Sequence, residues 1–521
     1  MHNSNSDTNI YNNINNNINN NNSYNNYNDN VNTNIPSNYN YDNINSPTYT
    51  EDKVPYVTFN RQPNFFPQKT LNKASTFKLK LENYFKLKAQ DVRENTQTVL
   101  DLEKKLKYQE SSMASKNRTK QRFIQRQSQF LRLKRTKLTI DDFQTIKVIG
   151  KGAFGEVRLV QKKDNRNIFA MKRLIKSEMY QRNEINHVKA ERDIMAQTTS
   201  PWVVSLYFSF QDLKYLYLIM EYLPGGDLMG LLIRLDRFTE EVTKFYMAEM
   251  ILAIEEVHRL GYIHRDIKPD NVLIDNFGHL KLSDFGLATN FHSHNDINYY
   301  QNILAKLNYY DYNNTSKRNT TIVENPIHLT MNDEEKMQTW RKSRRLLAYS
   351  RVGTPNYIAP EIFLNRGYGP ECDWWSLGAI MYECLIGCPP FWAETNEDTC
   401  KKILYWQHYF YIPEHIHLST EAEDLIKRLL TDSDKRIGRF NGAAEIKNHP
   451  FFRGVDWNSL KQIIPPFVPD IKSVTDTRYF DVSDIQITDD SLNANDIDTV
   501  DLPFVGYTYS RFDNLSKRNI F

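Results

Sequence analysis

Apolar residues change their rhythm along this chain. From Ser75 to about Leu106 they recur at helical spacing, at Phe77, Leu79, Leu81, Phe85, Leu87, Val92, Val99, Leu102 and Leu106, which predicts an amphipathic helix. From Phe143 the runs FQTIKVIG, GEVRLVQ and IFAMKRL are short, β-rich and separated by turn signals, which predicts strands. After Leu223 the rhythm turns helical again, in LMGLLIRL and TKFYMAEMILAIEEVHRL. A strand-rich unit followed by a helix-rich one, each too small alone, predicts an α+β chain of two lobes around a cleft.

Three stretches break these patterns. In the first, roughly 22 of the first 50 residues are Asn; so polar a tract buries too little apolar area to offset its ordering entropy, so residues 1–55 read as a disordered tail, with a condensate-forming segment as the alternative. The second, about 290–342, is polar and rich in Asn and Tyr inside a dense domain, and a structureless insert of that length is either functional or disordered. The third follows the acidic stretch Ser483–Asp501, where DLPFVGYTYSRF carries Phe504, Val505, Tyr507, Tyr509 and Phe512. Polar residues are the norm in a frayed terminus, and an aromatic cluster needs a groove to fill.

Charge adds little overall, since 521 residues with a net charge of +3 name no partner. Locally it matters. Between Ser111 and Ile140 there is no acid, and Lys116, Arg118, Lys120, Arg122, Arg126, Arg132, Lys134, Arg135 and Lys137 alternate with Phe123, Ile124, Phe130, Leu131 and Leu133. This basic amphipathic helix reads as a nuclear-localisation or nucleic-acid patch, as a solvated face, or, preferred here, as a docking surface for an acidic protein. Cys372, Cys384, Cys388 and Cys400 are not spaced as a metal knuckle, which points to a reducing compartment. No apolar run reaches about 18 residues and no signal-peptide pattern opens the chain, so a soluble intracellular protein is expected.

The chemistry sits in ordered motifs. Gly150, Gly152 and Gly155 in IGKGAFGEV have strands on both sides. A dinucleotide fingerprint opens a helix instead, so the flanking strands favour a phosphate-covering hairpin. Lys172, inside the apolar strand IFAMKRL, needs partners, for which nucleotide phosphates and Glu191 are the candidates. IHRDIKPDNVLID supplies Asp266, Lys268 and Asn271, and LSDFGLA supplies Asp284. In phosphoryl transfer Asp284 and Asn271 would hold Mg²⁺, Asp266 would orient the substrate hydroxyl, and Lys268 would neutralise the γ-phosphate. Glu361 is expected to pair bidentately with Arg436, and Asp373 to brace the loop around Asp266.

These motifs, in this order, resemble eukaryotic protein kinases, and DIKPDN resembles the serine/threonine type. GTPNYIAPE and the terminal aromatics resemble the AGC group. QSQFLRLKRT, QKKD, the long insert before RKSRRLLAYSRVGTP, and LPFVGYTYSRF resemble the NDR/LATS family, most of all its fungal branch of morphogenesis and cell-wall kinases. The resemblance covers about 55–521 and implies a bilobal kinase fold. It implies a helical coactivator-binding region at 75–140, a kinase domain at 143–452 and an AGC C-terminal domain at 453–521.

The resemblance further implies an ATP site of Ile149, Gly150, Lys151, Gly152, Ala153, Phe154, Gly155, Glu156, Val157, Ala170, Lys172, Glu191, Met220, Glu221 and Leu223. Asp227, Asp270 and Glu383 would line the groove for a basic substrate peptide, with a preference for His further upstream. Ser350 and Thr508 would be phosphosites, Thr508 through an upstream kinase, and a Mob-type coactivator would bind the basic N-terminal helices. The insert, with Arg341, Lys342, Arg344 and Arg345 at its end, would be autoinhibitory. Location would be cytoplasmic, with the cell cortex and nucleus also implied, and no stable nucleic-acid or membrane binding is expected. Asn356 departs from the pattern, which more often has an acid there, and this would soften peptide contacts. The remaining alternatives are a pseudokinase scaffold, disfavoured because Lys172, Asp266, Asn271 and Asp284 are all present, and an RNA-granule protein with a kinase attached.

Overall fold

The structure, a computed structural model, describes residues 66–108, 112–152, 155–181, 184–290, 338–340, 355–364, 368–480 and 504–511. The Asn-rich tail, Ala153, Phe154, Arg341, Lys342, Arg344, Arg345, Ser350 and most of the insert lie outside these residues.

One antiparallel sheet builds the small lobe from β1 (Phe143–Gly152), β2 (Gly155–Lys162), β3 (Ile168–Ile175), β4 (Leu206–Gln211) and β5 (Tyr215–Glu221). A sixth strand, β8 (Tyr509–Ser510), comes from the far end of the chain, and the order is β1-β2-β3-β5-β4-β8. Strand alternation sorts the side chains by face. Val160, Phe169, Met171 and Ile219 fill one face, whereas Ile149, Leu159 and Ala170 cluster on the other. Lys172 therefore points to the second face, opposite to Met171 and Arg173.

Helix α3 (Ile185–Gln197) packs beside the sheet through Val188, Ile194 and Met195 and buries Glu191. The helical lobe contains α4 (Leu228–Leu235), α5 (Glu240–Arg259), α6 (Glu371–Ile386) and α7 (Thr420–Leu429). Each of α4, α5 and α7 has an oxygen-bearing cap: Asp227 accepts from Gly230 N–H, Thr239 from Val242 N–H and Ser419 from Ala422 N–H. Helix α6 is mainly apolar and buried along its whole length, as expected of a central core helix. It stops at Gly387, whose φ of +99° suits a residue without Cβ. The short hairpin β6 (Val272–Ile274) and β7 (Leu280–Leu282) separates the loop of Asp266 and Asn271 from that of Asp284 in the chain.

The N-terminal region forms two helices, α1 (Gln68–Tyr108) and α2 (Met113–Arg135). Leu102, Leu106 and Phe123 join them with Val99 at the edge, and Gln127 Nε2 donates to Asn95 Oδ1 at 2.9 Å. The first helix starts seven residues before the periodicity predicts, because Gln68–Ala74 has few apolar positions to reveal a phase. Phe77, Leu79, Leu81, Phe85 and Val92, on the amphipathic helix that the periodicity predicts, are 44–66% exposed. Among the described residues no helix is long and apolar enough to cross a membrane.

Candidate active site

The glycine segment is the turn of the β1–β2 hairpin, with Gly152 opposite Gly155. Strands on both sides fit the phosphate-covering reading. A Cβ on Gly155 would come within 1.8 Å of the Arg173 carbonyl oxygen, so this glycine also lets β2 approach β3. Behind the hairpin, Ile149, Leu159 and Ala170 with Val157 and Tyr222 form an apolar surface able to cover a nucleotide base.

Glu156 has a different place from the one expected. Alternation turns it to the opposite face, where it is buried and pairs with Arg158 and with Arg173 at 3.0 Å. It is a structural ion pair, not a nucleotide contact. Glu221 is similarly committed, accepting from Ser205 N–H at 2.7 Å and from Lys281 Nζ at 2.8 Å, which leaves only its backbone for a nucleotide. Leu223 is buried in the main core, and Met220 packs against that core. Lys151 is exposed at the hairpin tip.

Phe480, which the sequence reading missed, packs against this apolar cluster and stacks on Tyr222 at 5.9 Å. It arrives from the C-terminal extension, held there by Tyr222 OH donating to Asp476 O. The aromatic-acid pair at Tyr479–Asp481 was the only available hint.

Lys172 Nζ lies 2.7 Å from Glu191 Oε1 and 2.9 Å from Asp284 Oδ1. Burial opposes the ammonium charge, but the two carboxylates outweigh it and raise the Lys172 pKa. Burial likewise opposes the charge of Asp284, and Lys172 outweighs it, holding that carboxyl well below the usual range. For Glu191 burial wins and the pKa rises. One ammonium thus serves two acids.

On the helical lobe Asp266 Oδ2 accepts from Lys268 Nζ at 3.0 Å and from Asn271 Nδ2 at 3.0 Å. These bonds hold the carboxylate still and leave Oδ1 for another donor. Ser283, just before Asp284, donates through N and Oγ to Asn271 O, both at 2.9 Å, tying the two candidate metal residues together. Asn271 commits its Nδ2 to Asp266, so Oδ1 is its remaining ligand atom. This set of oxygen donors fits Mg²⁺, which takes few protein ligands and completes its shell with phosphate oxygens. Among the described residues no cluster of three or more His, Cys, Asp or Glu forms an all-protein metal cage.

The loop is braced as predicted. Asp373 accepts from His264 N–H and Arg265 N–H, each at 2.9 Å, and contacts His258 Nε2 at 2.8 Å. Arg436 meets Glu361 with two nitrogens, at 2.5 and 3.0 Å. Arg265 donates to Leu287 O and to Tyr368 OH.

The candidate peptide residues divide. Asp227 and Asp270 are half-buried neighbours; burial, then Asp270, pushes the Asp227 pKa up to about 7. Burial raises Asp270 as well. Glu383 is not in an open groove: it is fully buried, accepting from Trp340 Nε1 at 3.0 Å and Tyr357 OH at 2.6 Å. Asn356 is also fully buried, so it does not present its amide to a groove.

The terminal aromatics have found their groove. Phe504 and Tyr507 are buried while Thr508 is exposed, as alternation predicts. Gln211 Nε2 donates to Phe504 O at 2.8 Å and Ser209 Oγ to Tyr507 O at 2.6 Å. Arg192, next to Glu191 on α3, donates to Gly506 O and lies 5.8 Å from the Tyr507 ring. Tyr509 OH donates to Ala196 O at 3.2 Å. The tail also approaches α1, where a Cβ on Gly506 would lie 3.1 Å from the Asn83 side chain.

Comparison with known proteins agrees with this geometry. The family "Protein kinase domain" matches residues 143–312 and 333–452. The chain is 56% identical over 494 residues to "Serine/threonine-protein kinase CBK1" of Debaryomyces hansenii, covering 90% of this chain and 69% of that one. It is 53% identical to the protein of that name from Pneumocystis carinii, over 92% of this chain and 96% of that one. Against "Serine/threonine-protein kinase cot-1" of Neurospora crassa identity is 44%, over 91% and 81%. A cleft built for phosphoryl transfer and relatives of this similarity lead to one assignment: the chain belongs to the protein kinase family, as a serine/threonine kinase of the NDR/LATS type.

Proposed function

We propose that this kinase transfers the γ-phosphoryl group of ATP to Ser or Thr in basic protein segments, with Mg²⁺ as the metal. The observation that carries the reading is the shared ammonium of Lys172, between Glu191 and Asp284, facing the braced Asp266–Asn271–Lys268 group. Lys172 would position the α/β-phosphates, and its bond to Glu191 fixes its reach. Asn271 and Asp284 would hold Mg²⁺, which supplies charge neutralisation along the phosphates. Asp266 Oδ1 would accept the substrate hydroxyl's hydrogen bond and turn its oxygen in line, while Lys268 stabilises charge developing on the transferred group. Asp227 and Asp270 would select arginine upstream of the target.

Regulation would run through the tail. Tyr507 and Tyr509 press on α3, so a seated tail favours the Lys172–Glu191 pair. Phosphate on Thr508, added by an upstream kinase, would bring about two negative charges to an exposed position beside the basic N-terminal region. A Mob-type coactivator on α1 and α2 would favour the same arrangement, so each event would strengthen the other. Phosphate on Ser350 would order the activation segment through Arg265, and the insert would restrain it. The resemblance adds a role in cell morphogenesis, polarity and cell-wall or division signalling, carried out in the cytoplasm, at the cortex or in the nucleus.

The test is a peptide array with Mg²⁺ and ATP, using wild type and Asp266→Ala. Phosphorylation of Ser and Thr behind an upstream Arg, lost in Asp266→Ala while the fold survives, supports the reading. Near-normal transfer by Asp266→Ala would overturn it.

A further inference from the structure

Arg265 is held in an unusual backbone conformation directly before Asp266. Its φ of +66° lies in the left-handed region that residues with a Cβ seldom enter, and the residue is only 3% exposed. Such a conformation persists where surrounding bonds over-determine it. Two of those bonds come from one stretch of chain. Asp373 Oδ1 accepts from the Arg265 N–H at 2.9 Å, and five residues earlier Tyr368 OH accepts from Nη1 at 2.5 Å. The Nε donates to Leu287 O at 2.6 Å, three residues beyond Asp284. One guanidinium therefore joins the Asp266 loop, the Asp284 segment and the chain that leads into α6.

The two supports from the α6 end differ in firmness. Asp373 is fully buried. Tyr368 packs on the main core with one part of its ring, yet it is half-buried and lines an open cavity of about 940 Å³ with Pro360, Leu364, Leu404 and Trp406. The ring has room on that side, so its bond to Arg265 decides how it lies. The guanidinium carbon is also 5.7 Å from the ring centre, a contact that a phenyl ring would keep. The hydroxyl is thus the separable part. It makes a charge-assisted bond, stronger than one between neutral groups.

We propose that Tyr368 is a positioning residue for phosphoryl transfer: its hydroxyl sets the Arg265 guanidinium, and through it the aim of Asp266 relative to Asp284, a role that rests on the assignments of those two carboxylates above. Its bond leads to Arg265 and not to Lys172, Asn271 or Asp284, so nucleotide binding does not sense it. A small error in the aim of Asp266 is felt where the hydroxyl must lie in line, in the transition state. The effect therefore falls on kcat and spares KM.

The experiment uses the full chain, an arginine-containing peptide and ATP with Mg²⁺. In Tyr368→Phe, kcat should fall about tenfold, the worth of one hydrogen bond to a charged group, with KM for ATP and for peptide and the melting temperature nearly unchanged. In an Arg265→Met background the same change should cost nothing more, because the group it sets is gone. Hydrogen exchange in Tyr368→Phe should quicken across residues 264–266 and 284–288 while α6 keeps its protection. If Arg265→Met does not fold or is too slow to measure, the kinetic split and the exchange pattern of Tyr368→Phe decide. An unchanged kcat, an equal loss with and without Arg265, a loss accompanied by a matching fall in melting temperature, or unaltered exchange around Arg265 and Leu287 overturns this role alone. Near-normal transfer by Asp266→Ala overturns the catalytic reading and this role together.

Discussion

Asp227 shows what one side chain decides here. It caps α4 and lies beside Asp270, and burial, then that neighbour's charge, pushes its pKa up to about 7, against the pull of Gly230 N–H and Arg234. Below that pH it holds a proton in the free enzyme, and above it an anion is ready for a substrate arginine. KM for an arginine peptide should therefore fall as pH rises from about 6 to 8. Asp227→Asn should flatten the profile and raise KM at the upper end, which a pH series of initial rates would show. Arg436 makes a second residue-level case. Arg436→Met would leave Glu361 buried and unpaired, so it should cost about 3–5 kcal/mol in urea unfolding. Residues like these were readable where a motif fixes the partner, as with Lys172 and Glu191 or Glu361 and Arg436. They were misread where the face of a strand decides: Glu156 lies within the glycine motif, yet alternation aims it at Arg158 and Arg173.

Among elements, the tail strand β8 and the C-terminal extension carry more than their length suggests. Tyr507 is 1% exposed and lies beside Arg192 of α3. Tyr507→Ala should release β8, lowering kcat with little change in peptide KM. Hydrogen exchange at β4, which pairs with β8, should quicken, and unchanged protection there would contradict the coupling. Phe480 would act on the proposed nucleotide site instead. Phe480→Ala removes the stack on Tyr222 and part of the base-covering surface, so KM for ATP should rise about tenfold with kcat nearly kept, on the order of a lost aromatic contact. Strand and helix periodicity revealed the sheet and the main helices. The arrival of Phe480 at the cleft is set by long-range chain return, which no local pattern encodes.

At the scale of the molecule, α1 carries a set of exposed apolar side chains that the rest of the described chain does not cover. Phe77 is 66% exposed and Phe85 60%. Replacing both by Ser should leave the melting temperature of the isolated chain nearly unchanged and weaken binding of an acidic Mob-type partner at least tenfold by calorimetric titration, as expected when two large anchors are lost. The helical periodicity there was legible; what covers its apolar face was not, because periodicity reports a face and not its partner. The sheet has one more consequence. β8 closes the outer margin of β4, pairing Tyr509 with Ser209 and Ser510 with Phe208. When the tail leaves, β4 presents unpaired backbone next to Tyr207 and Phe208, a template for another strand. Loss of the tail's contact with α3 and exposure of an aggregation-prone margin are therefore the same event, and a cell that frees this tail must also keep that margin covered.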